Sequence, residues 1–371
     1  MKTYHDNHHW IWENKDFPHF TYQQIPLEQL YFKFGQLQAV EHFLTQQDST
    51  ELLVDVLENE AVSTSAIEGE ILQRSSVRSS IQKILRLDVE AEYSNNYHID
   101  NLIEIILDAK TNLAPLDHER LSSWHIALFP TNQSGLRKIL AGEYRTHEEE
   151  MRIVSGPWEK EKVHYIAPPS SMMEKMMEEF LNWLNKENES DLLIKAAIAH
   201  LYFVLIHPFE DGNGRLTRAI TDYVLAKANL VNASFYSIAT AIHQHRKEYY
   251  TTLDSICRSQ TLDITPWIEW FMKIVSISID DTLKKVETIQ VKTKFWDRCN
   301  QHTLNERQKK MIHKMLSALP EKFEGGMKIN KYMSLTHTTR VTAGRDLGDL
   351  VEKRLVSSFG SGRGVYYQLN L

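Results

Sequence analysis

Residues 207–218 read His207-Pro208-Phe209-Glu210-Asp211-Gly212-Asn213-Gly214-Arg215-Leu216-Thr217-Arg218. This stretch sets a candidate base, a metal-type carboxylate, a glycine-rich turn and two arginines between two helical segments. Upstream, Leu192 to Ile206 (LLIKAAIAHLYFVLI) is strongly apolar and rich in Ala and Leu, which predicts a buried helix stopped at Pro208. Downstream, a helical pattern from Arg215 to Ala228 puts Leu216, Ile220, Val224 and Leu225 on one face. Gly212, Asn213 and Gly214 are therefore expected at the N-terminus of the second helix. Free backbone N–H groups and the helix dipole favour an anion there, and glycines let phosphate approach the main chain. Arg215 and Arg218, one turn apart, can hold further phosphate oxygens by paired hydrogen bonds. Asp211 is placed to carry a magnesium ion, which uses only one or two protein carboxylates when phosphates complete its shell. His207 remains for proton transfer, which suits an imidazole near neutral pH. Each residue alone has an ordinary role as helix end, turn or solvated face; the combination points to a nucleotide triphosphate.

The segment resembles the signature of the Fic family, His-Pro-Phe-any-Asp/Glu-Gly-Asn-Gly-Arg-any-any-Arg, and matches it at every specified position. The resemblance implies adenylyl transfer, in which AMP moves from ATP to a Ser, Thr or Tyr hydroxyl of a target protein and pyrophosphate leaves. It implies that His207 is the general base and that Asp211 carries Mg2+. It further implies that the turn Gly212-Asn213-Gly214 with Arg215 holds the α- and β-phosphates, that Arg218 holds the γ-phosphate, and that Phe209 anchors the loop in the core. In-line displacement at phosphorus needs positioning and charge neutralisation more than covalent help, which fits this division of labour. The implied ligands are ATP as substrate and Mg2+. The implied partners are hydroxyl side chains of target proteins, with self-modification and a homodimer left open.

A second motif is Thr64-Ser65-Ala66-Ile67-Glu68-Gly69, in a helix whose register is suggested by Leu52, Leu53, Val56 and Leu57 and which Gly69 would end. It resembles the Ser/Thr-any-any-any-Glu-Gly/Asn inhibitory helix that precedes the catalytic core in one class of Fic enzymes. Glu68 would then pair with Arg218, and an arginine so engaged cannot also hold the γ-phosphate. A partly buried pair costing about 3 kcal/mol to break would suppress productive ATP binding by roughly two orders of magnitude.

Arg152 to Pro157 and Val163 to Ile166 are short β-prone runs around Trp158 to Lys162, a hairpin pattern. By resemblance this is the flap over the site, with Val154 and Ser155 beside the nucleotide and an edge that accepts a target segment by strand addition. Tyr249 and Tyr250 fall where family members line the adenine pocket.

The remaining sequence sets bounds. At 371 residues and 42% hydrophobic, the chain can bury a substantial core and should hold two or three domains. No run of about 18 apolar residues suggests a membrane span, and Met1 to Trp12 is polar and His-rich without a signal-peptide core, so a cytoplasmic location is expected. Cys257 and Cys299 lie far apart, against a disulfide framework or a zinc site. His5, His8 and His9 read as a solvated terminus, because no acidic or Cys partner completes a site with them.

The expected fold is mainly α, with a Fic helical core, a short β-hairpin flap, a helical N-terminal region and a C-terminal winged-helix domain. Boundaries are placed at 1–90, 91–285 and 300–371. The first region should hold helices from Leu27 to about Thr45, on to Glu68, and from Val77 to Leu85. Thr265-Pro266 is a good helix start, leading into the amphipathic stretch Trp267 to Val275. From Leu304 onward there are twelve Lys or Arg against six Asp or Glu, a net +6, which leaves −13 of the chain's −7 to the rest. That tail is patterned as helix (Glu306 to Leu319), helix (Ile329 to Met333), a turn at Ser334 to His337, helix (Thr338 to Arg354), and two strands around Gly360 to Gly364. Thr338, Thr339, Arg340 and Arg345 would lie on a candidate recognition helix for DNA. Two alternatives to the transferase remain: a DNA-binding regulator with a nucleotide-sensing core, or an enzyme that removes AMP with Glu68 positioning a water. Against a relic core, both His207 and Asp211 are present.

Overall fold

The computed structural model describes residues 10–87, 96–135, 137–155, 161–186, 191–228, 230–319, 321 and 323–371. Within them the chain is mainly helical, and it divides into two compact units, Met1–Phe43 with Thr50–Thr282, and Leu44–Ser49 with Leu283–Leu371. The histidines at 5, 8 and 9 and most of the hairpin turn at 158–160 lie outside the described residues.

In chain order the elements are α1 (Glu28–Glu41), α2 (Gln46–Ile67), α3 (Arg74–Ile84), α4 (Tyr97–Thr111), α5 (His118–Leu128), β1 (Gln133–Ser134), β2 (Arg137–Lys138), β3 (Arg152–Ser155), β4 (Lys162–Ile166), α6 (Met173–Asn185), α7 (Leu192–Ile206), α8 (Asn213–Ala228), α9 (Ile238–Gln244), α10 (Arg246–Cys257), α11 (Thr265–Asn300), α12 (Glu306–Leu316), α13 (Ile329–Thr336), α14 (Arg340–Glu352), β5 (Val356–Phe359) and β6 (Tyr366–Leu369). The strands form three separate antiparallel hairpins, β1–β2, β3–β4 and β5–β6.

The first unit is organised on α7 and α8, which pack closely against each other, with α4 against α8 and α3 and α5 against α4. Helix α7 starts at an Asp191 cap whose carboxylate accepts the Leu193 N–H at 2.8 Å, and nearly all of its residues are buried. Helix α8 departs from the amphipathic pattern read in its sequence. Leu216, Ile220, Val224 and Leu225 are buried as the period requires, but so are Thr217, Arg218, Thr221 and Asp222 on the polar side. These polar groups are met internally, by hydrogen bonds and one buried ion pair. Thr217 and Thr221 hydroxyls donate to carbonyls one turn back, Thr221 also meets Nδ1 of His200 at 2.9 Å, and Asp222 pairs with the buried Lys110 at 3.0 Å. Lys110 also donates to the carbonyls of Ala233 and Tyr236, so the ammonium is coordinated on several sides. A side of α8 that would read as solvated is an interior polar seam.

In the second unit, α12, α13, α14 and the β5–β6 hairpin close around Met311, Ile312, Met315, Tyr332, Leu347 and Leu350. Asp346 organises its polar side, accepting from Arg307 at 2.8 Å, the Tyr332 hydroxyl at 2.9 Å and Asn305 at 3.0 Å. The order helix, helix, helix, hairpin is as read from the sequence, with corrections to its bounds: α12 stops at Leu316 rather than Leu319, and α14 runs Arg340–Glu352 rather than Thr338 to Arg354, with Thr339 as its N-cap and Thr338 outside it. The segment expected to turn, Ser334 to His337, instead continues α13 to Thr336, and the chain reverses at His337, which takes a left-handed conformation with φ 50°. The sequence has no Gly or Pro at that turn, so only the backbone conformation of His337 marks it. Cys257 and Cys299 are free and buried, and among the described residues no helix is long and apolar enough to cross a membrane.

Candidate active site

The site is built where α7 hands over to α8. His207 caps α7, its N–H donating to the Phe203 carbonyl at 3.0 Å and its backbone turning into the left-handed region at φ 52°. Phe209 is fully buried and stacks on His125 with ring centroids 4.0 Å apart. Asn213 braces the loop from inside, accepting from the Phe209 N–H at 2.9 Å and donating to its carbonyl at 2.7 Å. Gly212 has φ +79°, and a Cβ there would strike the Phe129 ring at 2.8 Å, so both conformation and space require glycine. The loop is thus fixed by core contacts rather than left to a ligand.

His207 keeps some exposure, yet burial by the surrounding protein, followed by the charge of Arg145, pulls its pKa from 6.5 down to about 4. Glu68 and Asp211 act weakly the other way. The imidazole is therefore neutral, and able to accept a proton, throughout the neutral range. Asp211 is partly exposed; its carboxylate accepts a short hydrogen bond from the Ser134 hydroxyl on β1, and its main-chain carbonyl meets Nε2 of His125 at 3.1 Å.

The two arginines are both occupied by carboxylates. Arg218 is 2% exposed, and its guanidinium donates to the Thr64 hydroxyl at 2.6 Å, to the Thr64 carbonyl at 2.9 Å and to Glu68 at 2.7 Å. Helix α2 ends just before Glu68 through Gly69 at φ +88°, and the N–H groups of Glu68 and Glu70 both return to the Ser65 carbonyl. That end fixes where the Glu68 carboxylate lies: a methyl group added at Gly214 would collide with it. Glu68 therefore rests on the glycine turn at the start of α8, the place where the helix N-terminus offers its positive end. Arg215 lies with its guanidinium 5.0 Å over the Phe129 ring, 3.6 Å from Glu70 and 4.0 Å from Asp211. Glu70 in turn meets Nε2 of His98 at 2.9 Å, and His98, with Arg215 adding to it, holds its carboxyl below the usual range.

The flap residues stand on β3, whose pairing with β4 shifts register between Ile153 and Val154; Val154 is 38% exposed and Ser155 pairs with Lys162. Tyr249 and Tyr250 part company. Tyr249 is buried, its hydroxyl 3.0 Å from Nε2 of His200, whereas Tyr250 is 44% exposed and its hydroxyl lies 3.4 Å from the Ile67 carbonyl at the end of α2. Sequence reasoning overlooked Glu70, Ser134, His125, Phe129 and Arg145. Glu70 could have been found, since it adjoins the Glu68-Gly69 pair; the others lie 62 or more residues from the loop they touch and carry no local signal.

With this geometry established, relatives place the chain. Residues 115–225 match the Fic/DOC family and residues 10–87 match a domain of unknown function (DUF4172). A probable protein adenylyltransferase of Aquifex aeolicus is 26% identical over 126 residues, 33% of this chain and 39% of that protein. Protein adenylyltransferase Fic of Drosophila virilis is 30% identical over 134 residues, 31% of this chain and 26% of that protein. Both matches span far less than two thirds of the relative's length. In fold, a Fic family protein from Desulfovibrio desulfuricans G20 matches with a TM-score of 0.54 at 19% identity, covering 94% of this chain and 97% of that one.

Proposed function

We propose that the chain is a protein adenylyltransferase held in an inhibited state. The observation that carries this reading is the convergence of a neutral imidazole, a partly exposed carboxylate, a glycine turn opening a helix, and two arginines on the first turns of that helix, with the Glu68 carboxylate lodged where an anionic substrate would bind. The amides at Gly212 to Gly214 and Arg215 would hold the α- and β-phosphates, and Arg218 the γ-phosphate. His207 would take the proton of the attacking hydroxyl as the oxygen closes on the α-phosphorus and pyrophosphate departs. The donor set at Asp211 suits magnesium: one partly exposed carboxylate beside the Ser134 hydroxyl, with phosphate oxygens and water left to complete the shell. Bound there, the ion would neutralise phosphate charge. With Glu68 in place, Arg218 cannot reach the triphosphate.

The test is intact-mass spectrometry of the Glu68→Gly chain, and of a host lysate mixed with it, after incubation with ATP and Mg2+. An AMP adduct that disappears in the Glu68→Gly/His207→Ala chain is expected; no adduct on any protein would refute the reading.

A second reading, contact with DNA through the second unit, rests on α14. Two of its three acidic residues, Asp346 and Asp349, are ion-paired, to Arg307 and Lys353, whereas Arg340 and Arg345 are exposed and, among the described residues, without ion-pair partners. Unpaired arginines on a helix in a net-positive segment suit phosphate contacts. A salt-dependent mobility shift of duplex DNA by the full chain, lost in the Arg340→Ala/Arg345→Ala variant, is the expected result.

A further inference from the structure

We infer that Arg145 is a positioning residue for His207, holding the turn that carries the base and keeping that base unprotonated. The inference rests on the transferase reading only in calling His207 a base. Its physical content is a coupling between two residues that can be measured without any reaction.

Arg145 is 1% exposed, and its bonds converge on the turn. Its Nε donates to the His207 carbonyl at 2.8 Å, and Nη2 donates to the Ile206 carbonyl at 3.4 Å and to the Pro168 carbonyl just beyond β4. Its own backbone N–H donates to the Pro208 carbonyl at 2.9 Å. The carbonyls of three successive residues, 206 to 208, are thus held by one arginine. These are groups that the end of α7 leaves without helical partners. Together they fix a non-glycine residue in the left-handed region, a conformation that persists only where its surroundings impose it. The Pro168 bond ties the flap's return strand to the same turn, alongside the Tyr165 hydroxyl, which donates to the Leu205 carbonyl at 2.8 Å.

Among the described residues no carboxylate is a partner of Arg145, and Nη1 is buried with no hydrogen-bond partner there. Burial alone pulls its pKa down to about 10. An uncompensated guanidinium is an expensive way to satisfy carbonyls that a neutral amide could cap. What it adds is electrostatic. The C-terminal end of a helix favours a cation, which would stabilise a protonated His207 and spoil it as a base. Among the charged groups acting on His207, Glu68 and Asp211 push in the same unwanted direction, and Arg145 opposes all three.

The experiment compares Arg145→Lys and Arg145→Gln with their parent, all in the full-length Glu68→Gly chain, with circular dichroism to establish folding. The His207 ring is titrated by NMR and transfer rates are measured over a pH series. Lysine keeps the charge but lacks the fork, so kcat should fall roughly 10²-fold from misplacement of the base, with KM for ATP within about twofold and an unmoved His207 midpoint. Glutamine removes the charge, so His207 should titrate at higher pH and the acidic limb of kcat should move with it. A folded Gln variant titrating where the parent does would overturn the electrostatic role. A Lys variant with kcat within about twofold of the parent would overturn positioning, and it decides the matter if the Gln variant does not fold. A parent that shows no transfer would count against the proposed function, and the NMR titration would still decide the coupling.

Discussion

Replacing Glu68 by glycine removes one carboxylate from the glycine turn and frees one guanidinium, and the structure sets the size of the effect. The Glu68 to Arg218 contact is a single charge-assisted hydrogen bond of 2.7 Å, with the arginine 2% exposed and the glutamate 35% exposed. Bonds to charged groups contribute about 1.5–3 kcal/mol, and solvent access to the glutamate favours the lower half of that range. About 2 kcal/mol corresponds to a factor of about 30 in the population with Arg218 free, less than the two orders the sequence alone suggested. Thr64 lowers it no further, because its contacts to Arg218 remain in the variant. The assay is the initial rate of AMP transfer at saturating ATP and Mg2+, with calorimetric titration of ATP alongside. The expected result is a rise in rate of about 30-fold, abolished when Arg218→Ala is added to Glu68→Gly. A rate unchanged within about twofold, with ATP bound equally by both chains, would refute the claim that this carboxylate restrains the site.

His207→Ala in the Glu68→Gly background should reduce transfer to background while leaving ATP binding by calorimetry intact, since the phosphate contacts lie elsewhere on the loop; retained transfer would exclude His207 as the base. Glu70→Gln should raise ATP affinity by a few-fold at low salt, because the 3.6 Å contact with Arg215 is a partly exposed ion pair contributing about 0.5–1 kcal/mol; unaltered affinity would mean that Arg215 is not restrained. The chain should also lose stability in mild acid. Burial holds His125 and His207 down to about 4 and His200 down to about 3, so between those values and the ordinary value near 6.5 the unfolded chain binds more protons than the folded one and stability rises with pH. Asp222, pushed up to about 7 by burial, opposes this as one group against three. Tm followed from about pH 4.5 to about pH 7 should climb, and a flat profile would contradict the buried-histidine assignment.

How much was legible in the sequence depends on range. The helix from Leu192 to Ile206, the loop and the start of α8 follow from an apolar run, a proline and two glycines, all local signals. The 2.7 Å contact between Glu68 and Arg218 spans 150 residues, and it was anticipated only because a six-residue motif resembles a known pattern. Arg145, Ser134, His125 and Phe129 had no such pattern, and nothing about an isolated Arg or Ser states which carbonyl or carboxylate it will meet. The burial of α8's polar side had no local sign for a physical reason. Thr217, Arg218, Thr221 and Asp222 have the composition of a solvated face, and only α2, α4 and α7, arriving with Thr64, Lys110 and His200, make them interior. The turn at His337 was displaced because a left-handed histidine gives no compositional sign.

The central claim, that the loop from His207 to Arg218 aligns ATP for attack on its α-phosphorus, is tested most directly by the fate of label. The Glu68→Gly chain is incubated with Mg2+ and ATP labelled at either the α- or the γ-phosphate. Protein-bound label from the α-position alone is the expected result. Label from the γ-position, or none from either, would contradict the account.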